Sequence, residues 1–291
     1  MLRSPHDSSQ WLGLRRFPFA LVLPLAIAAC AARVDPAPAS PGAMGSLAHD
    51  RGPPASSEPL RLLAAGATEA SVRDEISLFE TQSGLTVEYS FGAVGALRDK
   101  VLAGELADLV VVTPAIIATL EAEQRVRAGS RVDLGQIGGG IAVRGGDPLP
   151  PVDTPEALAQ TLLAADEVYY ADPAVATAGA ALMKLVDTLG IGDQVRAKGH
   201  VAAGGKAAME NMTHSSAKRV IGATQISEIK SVPAATLVGQ YPAPLQVKTT
   251  YAAIILARST RVDDATKLLQ FFVGPAFQAR LAESGFEPAA Q

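Results

Sequence analysis

Residues 60–65, LRLLAA, form a short apolar run with Leu60, Leu62 and Leu63 followed by two alanines. Such a run suits a strand buried on both faces of a parallel sheet. Gly66 punctuates it, and over 70–83 the apolar residues Val72, Ile76 and Phe79 recur at i, i+4 and i+7 before Gly84, the stripe of an amphipathic helix. The same unit returns. Residues 86–91 alternate as a strand with Val87, Tyr89 and Phe91 on one face, and Gly92 leads into a helix marked by Val94, Leu97 and Val101 and stopped by Gly104. The run 109–112 is a third strand, and Thr113 and Pro114 open a third helix with Pro at the first helical position, where its missing N–H costs nothing. Strand-to-helix turns in succession are the pattern of an open parallel sheet with its ligand crevice at the strand carboxyl ends.

Residues 137–143 read as a further strand containing three consecutive glycines, and the loop 145–151 marks a crossover. A second set of units follows. Thr154 caps a helix, 168–171 is a strand, and 174–180 leads into a helix with Leu182, Leu185 and Val186 on its apolar face. Gly204 and Gly205 introduce another helix, and 219–223 is a strand that turns at Thr224, Gln225 and Ile226. The long apolar run 245–257 reads as a return crossover, after which two helices close the first unit. The expected fold class is α/β, two doubly wound α/β domains joined by a crossover hinge. Residues 60–142 and 246–291 build the first domain and 143–245 the second.

The turns after the strands carry the candidate chemistry. Backbone N–H groups at a helix start lack intrahelical partners and lie at the positive end of the helix dipole, so each turn is a potential anion nest. The candidate ligand-binding residues are Gly66, Ala67 and Thr68, then Ala93 and Val94, Thr113, Thr177 and Ala178, and Thr224 with Gln225. One helix terminus contributes only ~0.3–1 kcal/mol, whereas micromolar affinity needs about 8, so direct hydrogen bonds must supply the rest.

Composition narrows the class. The 291 residues carry a formal net charge of −4 and 48 % hydrophobic residues, with no basic patch interleaved with aromatics, so nucleic acid is not expected as a partner. A single cysteine, Cys30, excludes an intramolecular disulfide and a thiolate cluster, and the four histidines show no ligand spacing, so no metal or cofactor is expected. Arg15 and Arg16 precede an apolar run over 17–29, shorter than the ~20 residues of a membrane span and suited to an export signal. That run ends in Ile27, Ala28, Ala29 and Cys30, which resembles a bacterial lipobox and marks Cys30 for acylation. Residues 31–59, rich in Ala and Pro, read as a tether between lipid anchor and folded part.

Motifs of catalysis are missing: the sequence holds no G-x-S-x-G, no G-x-x-x-x-G-K-[ST], no H-E-x-x-H and no C-x-x-C. Glu69 reads most simply as a favourable charge in the first turn of a helix, and Tyr89, Tyr169 and Tyr170 as strand residues.

The stretches LLAAGATEA, VEYSFGAVGALRDKVLAGELADLVVVT and YADPAVATAGAALMKLVDTLGI, with the C-terminal helices, resemble the molybdate-binding proteins of ABC transporters. The resemblance implies a type 2 periplasmic binding protein fold, an oxyanion such as molybdate or tungstate as ligand, an ABC permease as partner, and no chemical step. The chain departs from the family at its ligand hydroxyls: Ala67 and the Ala93 to Gly95 segment stand where the family carries serines, and Thr224 to Ile226 where it carries a tyrosine turn. A small organic anion held by Gln225 is therefore the alternative ligand, and a sensor docking on a membrane receptor the alternative role. Pyrrole-assembling transferases of this fold need a cofactor-bearing cysteine, and none follows Cys30. The expected molecule is a monomeric, extracytoplasmic, lipid-anchored binding protein.

Overall fold

The computed structural model describes residues 58–288. The export segment, Cys30 and the tether up to residue 57 lie outside the described residues. The first segment runs β1 (Leu60–Ala65), a 3₁₀ turn (Gly66–Thr68), α1 (Glu69–Ser83), β2 (Val87–Gly92), α2 (Val94–Ala103), β3 (Leu109–Val112), α3 (Pro114–Ala122) and β4 (Val132–Ile137). The second runs β5 (Gly139–Arg144), α4 (Pro155–Ala164), β6 (Glu167–Ala171), α5 (Thr177–Thr188), α6 (Gly192–Arg196), β7 (Gly199–Ala202), α7 (Gly205–Thr213), β8 (Val220–Gln225), α8 (Ile226–Lys230) and β9 (Ala235–Gln240). The chain then returns through β10 (Thr249–Ile255) to α9 (Val262–Phe272) and α10 (Pro275–Ser284).

Two five-stranded sheets result, in the orders β2-β1-β3-β10-β4 and β7-β6-β8-β5-β9. β1 pairs in parallel with both β2 and β3, Leu62 lying opposite Tyr89 on one side and Leu109 on the other. β6 does the same between β7 and β8. Each sheet also holds a crossing strand that runs backwards: β10 is antiparallel to β3 and β4, and β5 to β8 and β9. The sheets are thus mixed rather than purely parallel, because apolar periodicity reports burial and not strand direction. Burial is deepest where the pattern predicts it. Leu109, Val110, Val111 and Val112 are fully buried, each worth about 1.5–3 kcal/mol relative to exposure. One core cluster surrounds the first sheet, and two others pack on the second.

The crossover lies earlier than the sequence suggests. Residues 137–143 are two strands in different sheets that part at Gly138, so 139–142 belong to the second lobe. The outgoing and returning crossings are tied together: Gln246 accepts from the Gly139 amide at 3.0 Å and donates to the Gly139 carbonyl at 2.9 Å. A Cβ on Gly138 would lie 2.6 Å from the Gln246 amide nitrogen, which explains the small residues there. On the return, β10 begins at Thr249 rather than at 245, since the apolar run alone does not show where pairing starts.

Candidate functional site

The parallel strands of both lobes end toward a common cleft, so that the first turns of α1, α2, α5 and α7 meet there. A cavity of about 280 Å³ lies between them, lined by Ala65 to Ala67, Glu69, Phe91 to Val94 and Tyr251 from the first lobe. From the second lobe come Ala171, Ala176 to Ala178, Ala203 to Ala207, Glu210, Gln225 and Glu228. The N-cap positions facing it are Ala65 for the 3₁₀ turn, Ala93 for α2, Ala176 for α5 and Gly204 for α7, and none of these residues caps its helix with its own side chain. Among the described helices α4 alone is capped by its N-cap side chain, Thr154 accepting from the Ala157 amide at 3.1 Å, so uncapped starts are general in this chain. Alanine is a poor N-cap by ~0.5–2 kcal/mol. Three of them on one cavity leave the amides open and let a ligand approach the backbone closely.

Several bonds join the lobes across the cleft. The Gly95 amide donates to the Val175 carbonyl at 2.9 Å. Lys206 Nζ lies 2.8 Å from Glu69 Oε1, which also accepts from Arg73 Nε at 2.8 Å. The Arg73 guanidinium sits over the rings of Phe91 and Tyr89, 4.9 and 5.5 Å from their centroids, and its bond to Glu69 raises its basicity. Tyr251 Oη is 3.2 Å from Thr177 Oγ1, and burial pushes its pKa up. Gln225 donates through Nε2 to Thr249 Oγ1 at 3.2 Å, and among the described residues its buried Oε1 has no partner.

Glu228, in the first turn of α8, is buried at this meeting point. Its Oε2 accepts from Thr224 Oγ1 at 2.5 Å, and the amides of Gln225 and Gly205 also point at the carboxyl. Burial raises its pKa, the Thr224 hydroxyl and the two amides oppose the rise, and Glu69 adds to it.

Of the residues singled out from the sequence, Gly66, Ala67, Ala93, Val94, Thr177, Ala178 and Gln225 line the cavity together. Three do not. The Thr68 hydroxyl is fully buried and donates to the Ala65 carbonyl at 2.9 Å, the Thr224 hydroxyl is spent on Glu228, and Thr113, 6 % exposed at the end of β3, lies off the cavity. In both hydroxyl cases a local acceptor three or four residues away wins over the cleft. Lys206, Glu228 and Tyr251 escaped the sequence reading, and Glu69 is a cross-lobe ion-pair partner as well as a helix-start charge. The available signal was Gly204-Gly205-Lys206 after a strand, a helix start bearing a cation.

Two α/β lobes with a double crossover and a cavity at the facing strand ends define a type 2 periplasmic binding protein. Residues 60–287 match the model of the bacterial extracellular solute-binding proteins, and the chain belongs to that family. It is 27 % identical over 235 residues to an aconitate isomerase of a Pseudomonas species, spanning 79 % of this chain and 87 % of that protein. In structure it resembles the periplasmic molybdate-binding protein of Azotobacter vinelandii, with a TM-score of 0.68 and 17 % identity over 79 % of this chain and all (100 %) of that one. It also resembles L-phospholactate-bound PEB3 of Campylobacter jejuni, with a TM-score of 0.60 and 15 % identity over 78 % of this chain and 99 % of that one. These structural likenesses share the fold. Among the described residues no helix is long and apolar enough to cross a membrane.

Proposed function

We propose that the chain is the solute-binding component of an ABC transporter and captures a small organic acid between its lobes, with closure presenting the liganded form to the permease. The observation that carries this reading is the mixed polarity of the cavity. Open amides at Ala67, Val94, Thr177 and Ala178, together with Lys206, suit a carboxylate. The buried Gln225 Oε1, with the amide oriented as here, asks for a donor, and the Glu228 carboxyl adds a second polar contact. A fully ionised inorganic oxyanion offers no donor to Gln225. An organic acid bearing a hydroxyl supplies that donor beside its carboxylate. A volume of about 280 Å³ is close to the ~300 Å³ lower bound of pockets for small organic ligands. The likeness to an aconitate isomerase supports the same reading. Export and acylation at Cys30 belong to this reading, since a lipid anchor would hold the binding protein near its permease.

Calorimetric titration of the protein with trans-aconitate, citrate, L-malate, molybdate, tungstate and sulfate tests it. Binding by at least one of the organic acids, and weaker or no binding by the inorganic anions, is the expected result; the reverse order rejects it. A second reading is favoured by the isomerase relative together with an acid and an ion pair on one cavity wall: the site shifts a proton along an unsaturated acid. Proton NMR of trans-aconitate incubated with the protein in deuterated water separates the two, since binding alone leaves the isomer ratio and the C–H signals unchanged.

A further inference from the structure

We propose that Glu228 makes capture proton-linked: its carboxyl holds a proton on Oε1 when an organic acid occupies the cavity and donates it in a hydrogen bond to an oxygen of that ligand. This rests on the organic-acid reading above. The geometry assigns different tasks to the two oxygens. Oε2 accepts the Thr224 hydroxyl at 2.5 Å and fills the space that a Cβ on Gly205 would need, only 2.0 Å away. Oε1 faces the other lobe, 3.0 Å from where a Cβ on Gly66 would stand, on the cavity wall. Glycines on both sides make room for one acid between the lobes. With Oε2 engaged as an acceptor, the free position for a proton is Oε1, aimed where a ligand oxygen lies.

The charges around it favour the neutral form. Glu69 on α1 faces it and is partnered by Lys206 of α7 and by Arg73, so Lys206 is directed at Glu69 rather than at Glu228. Glu210, one turn along α7, adds a second negative group near Lys206. On the α10 side, Lys230 donates to the Glu283 carbonyl at 2.9 Å, and Arg280 pairs with Asp74 and Glu283. Strands β8 and β9 bring no titratable side chain, and Tyr251 on β10 is held neutral by burial. Burial of the Glu228 carboxyl acts in the same direction and is the largest effect, outweighing the Thr224 hydroxyl and the amides of Gln225 and Gly205, which favour the ionised form. Among the described residues no histidine lines the cavity, and the raised Glu228 carboxyl is the group whose ionisation a carboxylate ligand would feel. A charged Glu228 repels that ligand; a protonated one binds it.

The test uses the full chain with trans-aconitate and citrate as probes, titrated between about pH 6.5 and about pH 8.5, where ordinary carboxyls stay ionised, in two buffers of different ionisation enthalpy. The wild-type protein is expected to take up a proton and to lose affinity by up to about tenfold per pH unit above the pKa of free Glu228. Glu228→Gln, which keeps a donor in place of the acid, should bind without pH dependence and more tightly than wild type at the alkaline end. Glu228→Ala should bind weakly throughout. Infrared difference spectra between the ligand-bound and free protein provide a second readout, a protonated-carboxyl stretch that grows on binding and is absent in Glu228→Gln. Binding with the same pH profile in wild type and Glu228→Gln, or absence of that band, overturns the inference while leaving the organic-acid reading intact. If neither probe binds any form at any pH, the organic-acid reading fails and this inference with it.

Discussion

Gly95→Ala separates closure from folding. Gly95 is buried in the first turn of α2, and its φ lies outside the left-handed region, so an alanine there suits the helix and gains roughly 0.5–1 kcal/mol over glycine. The cost falls on the other lobe. A Cβ at this position would sit 2.9 Å from the Val175 carbonyl oxygen and 3.0 Å from its Cα, and both are backbone atoms that cannot rotate away. Ordinary contact needs about half an ångström more, so the lobes must part at this point and the 2.9 Å bond from the Gly95 amide to the Val175 carbonyl must lengthen. Loss of that bond costs about 0.5–1.5 kcal/mol, and overpacking of a fitted contact about 1–3 kcal/mol. On the proposed closure, an open form in which this contact is released escapes the penalty. Taking ~1–3 kcal/mol as the net bias against closure, ligand affinity should fall about 5- to 150-fold. Thermal unfolding of the unliganded variant should show an unchanged or slightly higher midpoint, and calorimetry the weaker binding. An unchanged affinity, or a variant that simply unfolds earlier, refutes the reasoning.

Three further substitutions probe the same interface. Lys206→Met leaves Glu69 with Arg73 and removes both the cross-lobe bond of a partly exposed lysine and a cation on the cavity wall, so at saturating ligand the lost bond should cost about 1 kcal/mol of closure, read as a larger radius of gyration by small-angle X-ray scattering. Tyr251→Phe deletes the 3.2 Å contact with Thr177 and should weaken binding by about tenfold or less, measured by titration. Glu228→Gln changes the pH dependence of stability. Because the carboxyl binds its proton more tightly folded than unfolded, wild-type stability falls as pH rises from the ordinary value of 4.5 through the raised folded pKa. The variant lacks that slope, so denaturant unfolding should find it the more stable protein on the alkaline side and not at about pH 5.

Much of this was legible in the sequence. Apolar runs and helical stripes located β1, α1, α2, β3 and α5, and the turns after them supplied Gly66, Ala67, Ala93, Val94, Thr177, Ala178 and Gln225, all on the cavity wall. What escaped is long-range. Glu69 and Lys206 stand 137 residues apart, and no local pattern distinguishes a cross-lobe ion pair from two solvated charges. Glu228 looks like any acid in a first helical turn until the lobes bring Gly66 and Gly205 around it. Thr68 and Thr224 showed the opposite error, since a hydroxyl at a turn is visible in sequence but its preference for Ala65 or Glu228 is not. The crossing at Gly138 was hidden for a related reason: a strand that leaves one sheet and a strand that enters the next form one continuous apolar run.

The most direct test of the account is a crystal structure of the protein grown with the tightest-binding organic acid of the titration panel. The account predicts that acid between the lobes, one carboxylate about 2.7–3.2 Å from backbone nitrogens of the α1, α2 and α5 starts, and a second oxygen of the ligand beside Gln225 and Glu228. An organic acid bound elsewhere, or molybdate held in the cavity where no organic acid enters, contradicts it.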